Sequence, residues 1–136
     1  MKNNMEEKTL YIEPGQLHDE MLRLKNEQKM DFLESLTGMD WGVPDEKDAE
    51  GTLRGLGVVY HLESTENGQR MVVKTSTLDR EQPELPSVTD IWRGAELPER
   101  EVYDFFGIRF VGHPDMRRLF LRNDWVGYPL RKDNDP

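Results

Sequence analysis

Apolar and polar residues alternate most cleanly from Leu53 to Glu63. Leu56, Val58, Tyr60 and Leu62 fall on one side at period two, the pattern of a half-buried β-strand. Asn67-Gly68 follows, two residues tolerant of positive φ. Gln69–Leu78 then returns with Val72, Val73, Thr75 and Thr77, β-branched residues that suit strands. The pattern predicts an antiparallel hairpin. Upstream the period changes. Leu17, Met21 and Leu24 are spaced by four and three, and Phe32, Leu33 and Leu36 resume that spacing after Lys25–Lys29. Gln16–Leu36 therefore reads as helical, as one helix or two, ended by Thr37-Gly38. Thr9–Glu13 is a short extended candidate before Pro14-Gly15.

Trp41–Gly51 reads as an acidic surface loop around Asp45-Glu46-Lys47-Asp48. A calcium site is the sharper alternative, but the ligand spacing and bidentate glutamate of an EF-hand are missing. Glu81–Ser87 holds Pro83 and Pro86 and reads as a connection. Thr89 suits the N-cap of a short helix over Asp90–Ala95. Pro98 suits the first turn of a second helix, with Glu99 and Glu101 in that turn opposing its positive end. Val102, Phe105 and Phe106 form its apolar stripe, and Gly107 is placed to end it. A short strand is expected at Ile108–Phe110. From Gly112 the chain is dense in Arg, Trp, Gly and Pro with few periodic apolar residues. These elements predict a two-layer α+β fold: an N-terminal helix packed on a small antiparallel sheet, then a short helix and an irregular C-terminal arm. Residues 1–111 would be the folded domain and residues 112–136 an extended arm for partner docking.

A chain of 136 residues fits one domain with a modest core. Its net charge of −9 is unevenly placed. Seven basic and seven acidic residues lie from Glu99 onward, so the whole acid excess sits in residues 1–98. An acidic body argues against nucleic acid and against adhesion to anionic lipid. The absence of cysteine removes disulfides, thiolate chemistry and clusters held by Cys of this chain. No apolar run approaches the ~20 residues of a membrane helix, and MKNNMEEK lacks the apolar stretch of a secretory signal. The expectation is a soluble, cytoplasmic chain that meets membrane only through a partner.

Candidate chemistry is sparse. His18 and His61 have no second His at a metal-ligand spacing. His113 and Asp115 could form an acid–base pair, which would make a small hydrolase. Against that, no convincing nucleophile accompanies them, and a His between glycine and proline more often fixes a turn. Gly51, Gly55 and Gly57 do not follow a phosphate-cradling pattern. The arginines stand out. Arg100, Arg109, Arg117, Arg118, Arg122 and Arg131 cluster in sequence with Asp104, Asp115, Asp124 and Asp133, interleaved with Phe105, Phe106, Phe110, Phe120, Trp125 and Tyr128. That composition suits an interface. It suits equally a salt-bridged surface over an aromatic core.

Read as an ordered string, the segment resembles a known signature. Arg100 and Glu101 are a charged residue and a glutamate. Asp104 follows after two residues, then the apolar pair Phe105-Phe106, then His113, Arg117, and the pair Leu119-Phe120. Asp124-Trp125, Gly127, Pro129-Leu130 and Arg131-Lys132-Asp133 continue the likeness. This is similar to the C-terminal signature of one family, the small hydrophilic C-type subunit of respiratory NADH–quinone oxidoreductase (complex I). Relatives of that family also occur in some membrane-bound hydrogenases. Two departures stand out: the family often has Trp where Leu97 stands, and an aromatic residue and Pro where Asn134 follows Asp133. The resemblance implies a non-catalytic, structural subunit of the peripheral arm, peripheral on the cytoplasmic side of the cell membrane. It implies no cofactor on this chain, with flavin, iron–sulfur clusters and quinone held by other subunits. The implied partners are the large quinone-site subunit and cluster-bearing neighbours. A subunit of an energy-converting hydrogenase or ferredoxin-fed relative is the alternative, and a self-dimer is the alternative for the isolated chain. The residues expected to order the arm and its contacts are Arg100, Glu101, Asp104, Phe105, Phe106, His113, Asp115, Arg117, Arg118, Asp124, Trp125, Arg131, Lys132 and Asp133.

Overall fold

The computed structural model describes residues 7–118 and 127–133; Arg122, Asp124 and Trp125 lie outside them. The elements run β1 (Lys8–Tyr11), α1 (Pro14–Glu27), β2 (Phe32–Asp40), β3 (Leu56–Glu63), β4 (Arg70–Thr77), β5 (Glu84–Pro86), a 3₁₀ turn (Arg93–Ala95), α2 (Glu96–Phe106) and β6 (Arg109–Val111). The main sheet has the order β1-β4-β3-β2. The β3–β4 hairpin forms in register, Tyr60 opposite Val73. Its loop is wider than a two-residue turn: Ser64 and Gln69 close it, and only Gly68 takes positive φ, at 76°.

Helices and sheet make the expected two-layer α+β arrangement. Leu17, Met21 and Leu24 of α1 join Val58, Tyr60, Leu62, Met71 and Val73 in one core with Val102 and Phe106 of α2. The sheet is mixed, because β1 adds to β4 in parallel while the other pairs are antiparallel. Gly38 lets α2 approach β2. A Cβ there would lie 2.6 Å from the Phe106 ring, so any side chain would push α2 away from the sheet.

Four local readings are corrected. The helix expected to reach Leu36 stops at Glu27. Lys29 adopts φ 62°, and the Met30 N–H returns to the Leu24 carbonyl. This is a left-handed helix stop at a position where glycine is usual. Phe32, Leu33 and Leu36 then belong to β2, where the register slips between Leu33 and Ser35. That bulge turns both Leu33 and Leu36 inward, so their helix-like spacing of three arises within a strand. Glu81–Ser87 contains β5, which pairs in parallel with β6 through Leu85 and Phe110. Asp90–Ala95 forms turns and a 3₁₀ piece, not a helix. Because α2 begins at Glu96, its first turn holds Glu96 and Glu99, and Glu101 lies in the second.

Candidate partner interface

The described residues of the signature segment form a polar latch around α2. Three buried carboxylates organise it. Glu99, fully buried in the first turn of α2, accepts hydrogen bonds from Ser87 Oγ at 2.7 Å and the Val88 N–H at 2.8 Å. Those bonds tie the end of β5 to α2. Burial pushes this carboxyl up to about 7, against the pull of its two donors. The buried Tyr60 hydroxyl has no hydrogen-bond partner among the described residues, and burial with the nearby Glu99 charge pushes its pKa up.

Asp104, one turn later, is also fully buried. Arg118 reaches its Oδ1 at 3.0 Å and its backbone carbonyl at 2.5 Å. The same guanidinium donates to the Gly127 carbonyl and stacks over Tyr128, 4.7 Å from the ring centre, a cation–π placement. Tyr128 packs against Gly107, whose φ of 79° ends α2 and whose missing Cβ admits the ring. The Leu130 N–H then donates to the Phe105 carbonyl.

Asp40, at the end of β2, anchors the last described residues. Arg80 grips it in bidentate fashion at 2.6 and 3.0 Å, and the Lys132 and Gly42 N–H groups donate to it. Burial opposes ionisation, yet the Arg80 and backbone donors outweigh it and hold the carboxyl below the usual range. Asp133 bridges Arg131 and Arg80, and these two guanidiniums hold it at about 2. Arg131 also caps the Arg80 carbonyl. Residues 127–133 are thus strapped to both the sheet and α2.

His113 fixes a turn. The Asp115 N–H donates to its Nδ1 at 2.8 Å, which leaves Nε2 to donate to the Glu96 carbonyl at 2.8 Å. The Asp115 carboxylate faces away toward Arg117, with Arg100 3.8 Å distant, and Arg117 holds its pKa down. Arg100 turns inward and donates to the Arg117 and Arg118 carbonyls.

Of the expected interface residues, Arg100, Asp104, Phe106, Arg118 and Arg131 therefore serve the fold itself. Lys132 contributes its N–H. Arg117 is 69% exposed. Glu101 is exposed and makes no hydrogen bond or ion pair with the described residues. It lines a groove of about 280 Å³ between α2 and β2, with Leu36, Phe105 and the exposed Leu130. Sequence reasoning missed Asp40, Arg80 and the burial of Glu99, since their partners lie far along the chain and no local spacing announces them.

Known proteins match this architecture over most of its length. Residues 10–136 match the family described as respiratory-chain NADH dehydrogenase, 30 Kd subunit. An NADH-quinone oxidoreductase subunit of Bacteroides thetaiotaomicron, of the C/D type, is 73% identical over 93% of this chain. The chain spans only 24% of that relative's length. An NADH-quinone oxidoreductase subunit of Moorella thermoacetica, of the C type, is 40% identical over 91% of this chain and 77% of its own. Among solved structures, a trypsin-resistant fragment of Nqo5 matches with a TM-score of 0.64 and 36% identity, over 77% of this chain and 79% of that one. The membrane-bound sulfane sulfur reductase, an archaeal respiratory membrane complex, has a chain that matches with a TM-score of 0.74 and 29% identity, over 98% and 75%. Carrying the signature on a matching fold, the chain belongs to the respiratory-chain NADH dehydrogenase 30 Kd subunit family.

Proposed function

We propose that this chain is a non-catalytic structural subunit in the peripheral arm of a proton-translocating NADH–quinone oxidoreductase. One observation carries the reading: Phe105, Arg118, Arg131 and Lys132 of the family signature hold residues 127–133 against the body, while the Glu101 and Leu130 side chains stay open beside one groove. A carboxylate with no partner among the described residues, next to exposed apolar surface, suits a protein contact. Residues 112–136 act as the docking arm, and the partners are the large quinone-site subunit and cluster-bearing neighbours. Flavin, iron–sulfur clusters and quinone are held by those subunits. None of the helices in the described residues is long and apolar enough to cross a membrane. On this reading the chain reaches the membrane through its complex, on the cytoplasmic side. The test is to purify the tagged full chain from its native membranes. NADH-driven quinone reduction should travel with it. A chain that elutes alone, or with an unrelated enzyme, would refute the proposal.

A second reading rests on the archaeal match, which covers nearly the whole chain. There the chain would serve the same structural role in a hydrogenase-like or ferredoxin-fed membrane complex. The same purification separates the two, since ferredoxin-dependent activity without NADH oxidation would select the second.

A further inference from the structure

Away from the latch, a second groove opens at the far end of the sheet. It encloses about 780 Å³ and is floored by Tyr11, Pro14, Pro44, Leu53 and Leu78. Tyr11 is 46% and Leu78 62% exposed, and Val43 beside Pro44 is 64% exposed. Apolar side chains gathered at one exposed place mark a contact surface more often than singly scattered ones do.

The wall of this groove is pre-ordered. Arg54 holds Asp48 through two bonds of 2.5 and 2.9 Å and donates to the Trp41 carbonyl. Asp45 accepts the Lys47 N–H, and Asp48 accepts the Asp45 N–H. Thr52 closes on the Ala49 carbonyl. The acidic loop is thereby held by polar contacts, which lowers the ordering cost of binding.

Charge specifies the occupant. The lining carries Glu13, Asp45 and Asp48 but one cation, Arg54, which Asp48 already engages. Neither Glu13 nor Asp45 has a cation within ion-pair distance among the described residues. Tyr11 leans over β4, its hydroxyl 3.4 Å from the Ser76 carbonyl, and the groove continues from there past Thr77 and Leu78 to the acidic loop.

We infer that this groove docks a segment of a protein partner that is lysine- or arginine-bearing with alternating apolar residues. Its apolar side chains meet Tyr11 and Leu78, and its cations meet Glu13 and Asp45. This surface goes beyond the latch and its groove at Glu101.

The test installs a benzophenone amino acid at position 78 of the full chain in its native host. Irradiated adducts are sequenced, with the same probe at position 130 as a reference. The expected adduct maps to one segment in which Lys or Arg alternates with apolar residues. Its yield should fall about tenfold with Glu13→Gln plus Asp45→Asn, while the yield at position 130 holds and the purified variant melts as the parent does. Asp45→Asn preserves the turn-forming oxygen, so the loop keeps its shape. An adduct at position 130 but none at 78 would overturn the groove and leave the proposed function standing. So would an adduct at 78 on an acidic or neutral segment, or a yield indifferent to the charge changes. Silence at both positions would overturn both readings.

Discussion

The hairpin with α1 and the latch around α2 are held together by different physics. In the first, Leu17, Met21, Val58, Tyr60, Leu62 and Val73 meet in an apolar core, where each contact is non-directional and nearly indifferent to pH. In the second, Glu99, Asp104 and Asp40 are bound by named donors at 2.6 to 3.0 Å. Those contacts are directional and fail sharply when one partner is removed. The body can therefore drift in sequence while keeping its pattern. The latch can change only in pairs. A docking surface gains from that, because a directional latch fixes Leu130 and Glu101 in one geometry before any partner arrives.

The largest effect should come from the body. Met21→Ala leaves a void beneath the sheet and should cost about 4 kcal/mol by urea unfolding. The whole described fold should melt together. A smaller loss with separate transitions for body and latch would break the idea of one core.

Next in size is the pH response of Glu99. Its folded pKa, about 7, lies above its unfolded value. Its contribution to stability is thus full below the unfolded pKa and is lost as pH rises through about 7. Asp48 and Asp133 are shifted down to about 2, so their contributions are lost only as pH falls below the ordinary carboxylate range. Between about pH 5 and about pH 8, stability should therefore drop by roughly 3 kcal/mol. In Glu99→Gln, which keeps an acceptor for Val88, that slope should flatten. A slope unchanged by the substitution would assign it to another group.

Arg80→Met should cost roughly 2 kcal/mol, less than a fully buried pair, because Asp40 keeps the Gly42 and Lys132 donors. Amide exchange at Lys132 should quicken more than at Val73. Equal change at both would mean the strap and sheet open as one. Smallest is Tyr60→Phe. It removes a buried hydroxyl with no partner among the described residues and should leave stability unchanged or raise it by up to about 1 kcal/mol, read as a shift in urea midpoint. A clear loss would reveal a hydrogen bond at that hydroxyl.

The contrast also explains what was legible in the chain. Period two announced β3 and β4, and Pro98, the Val102–Phe106 stripe and Gly107 announced α2, because these signals are local. The stop after α1 was hidden, since Lys29 occupies the left-handed position where glycine is expected. The bulge at Leu33/Ser35 gave β2 a helical spacing. The arginines were visible as a cluster, but their allegiance was not. Arg118 and Arg131 turn inward to partners that only the fold brings near, while Arg117, beside Arg118, stays largely exposed. Glu101 and Asp104 look alike in sequence. One is exposed and the other fully buried, because three positions on a helix turn a side chain to a different depth at the rim of a packed face.

Glu101→Arg tests the central claim most directly. The tagged chain carrying it is purified from native membranes, and the amount of co-purifying complex per chain is measured beside the melting temperature of the isolated chain. The account expects co-purification to fall about tenfold or more, with the melting temperature unchanged because Glu101 is exposed and makes no hydrogen bond or ion pair with the described residues. Unchanged co-purification would contradict it, and the open face beside α2 would then not be where this protein meets its complex.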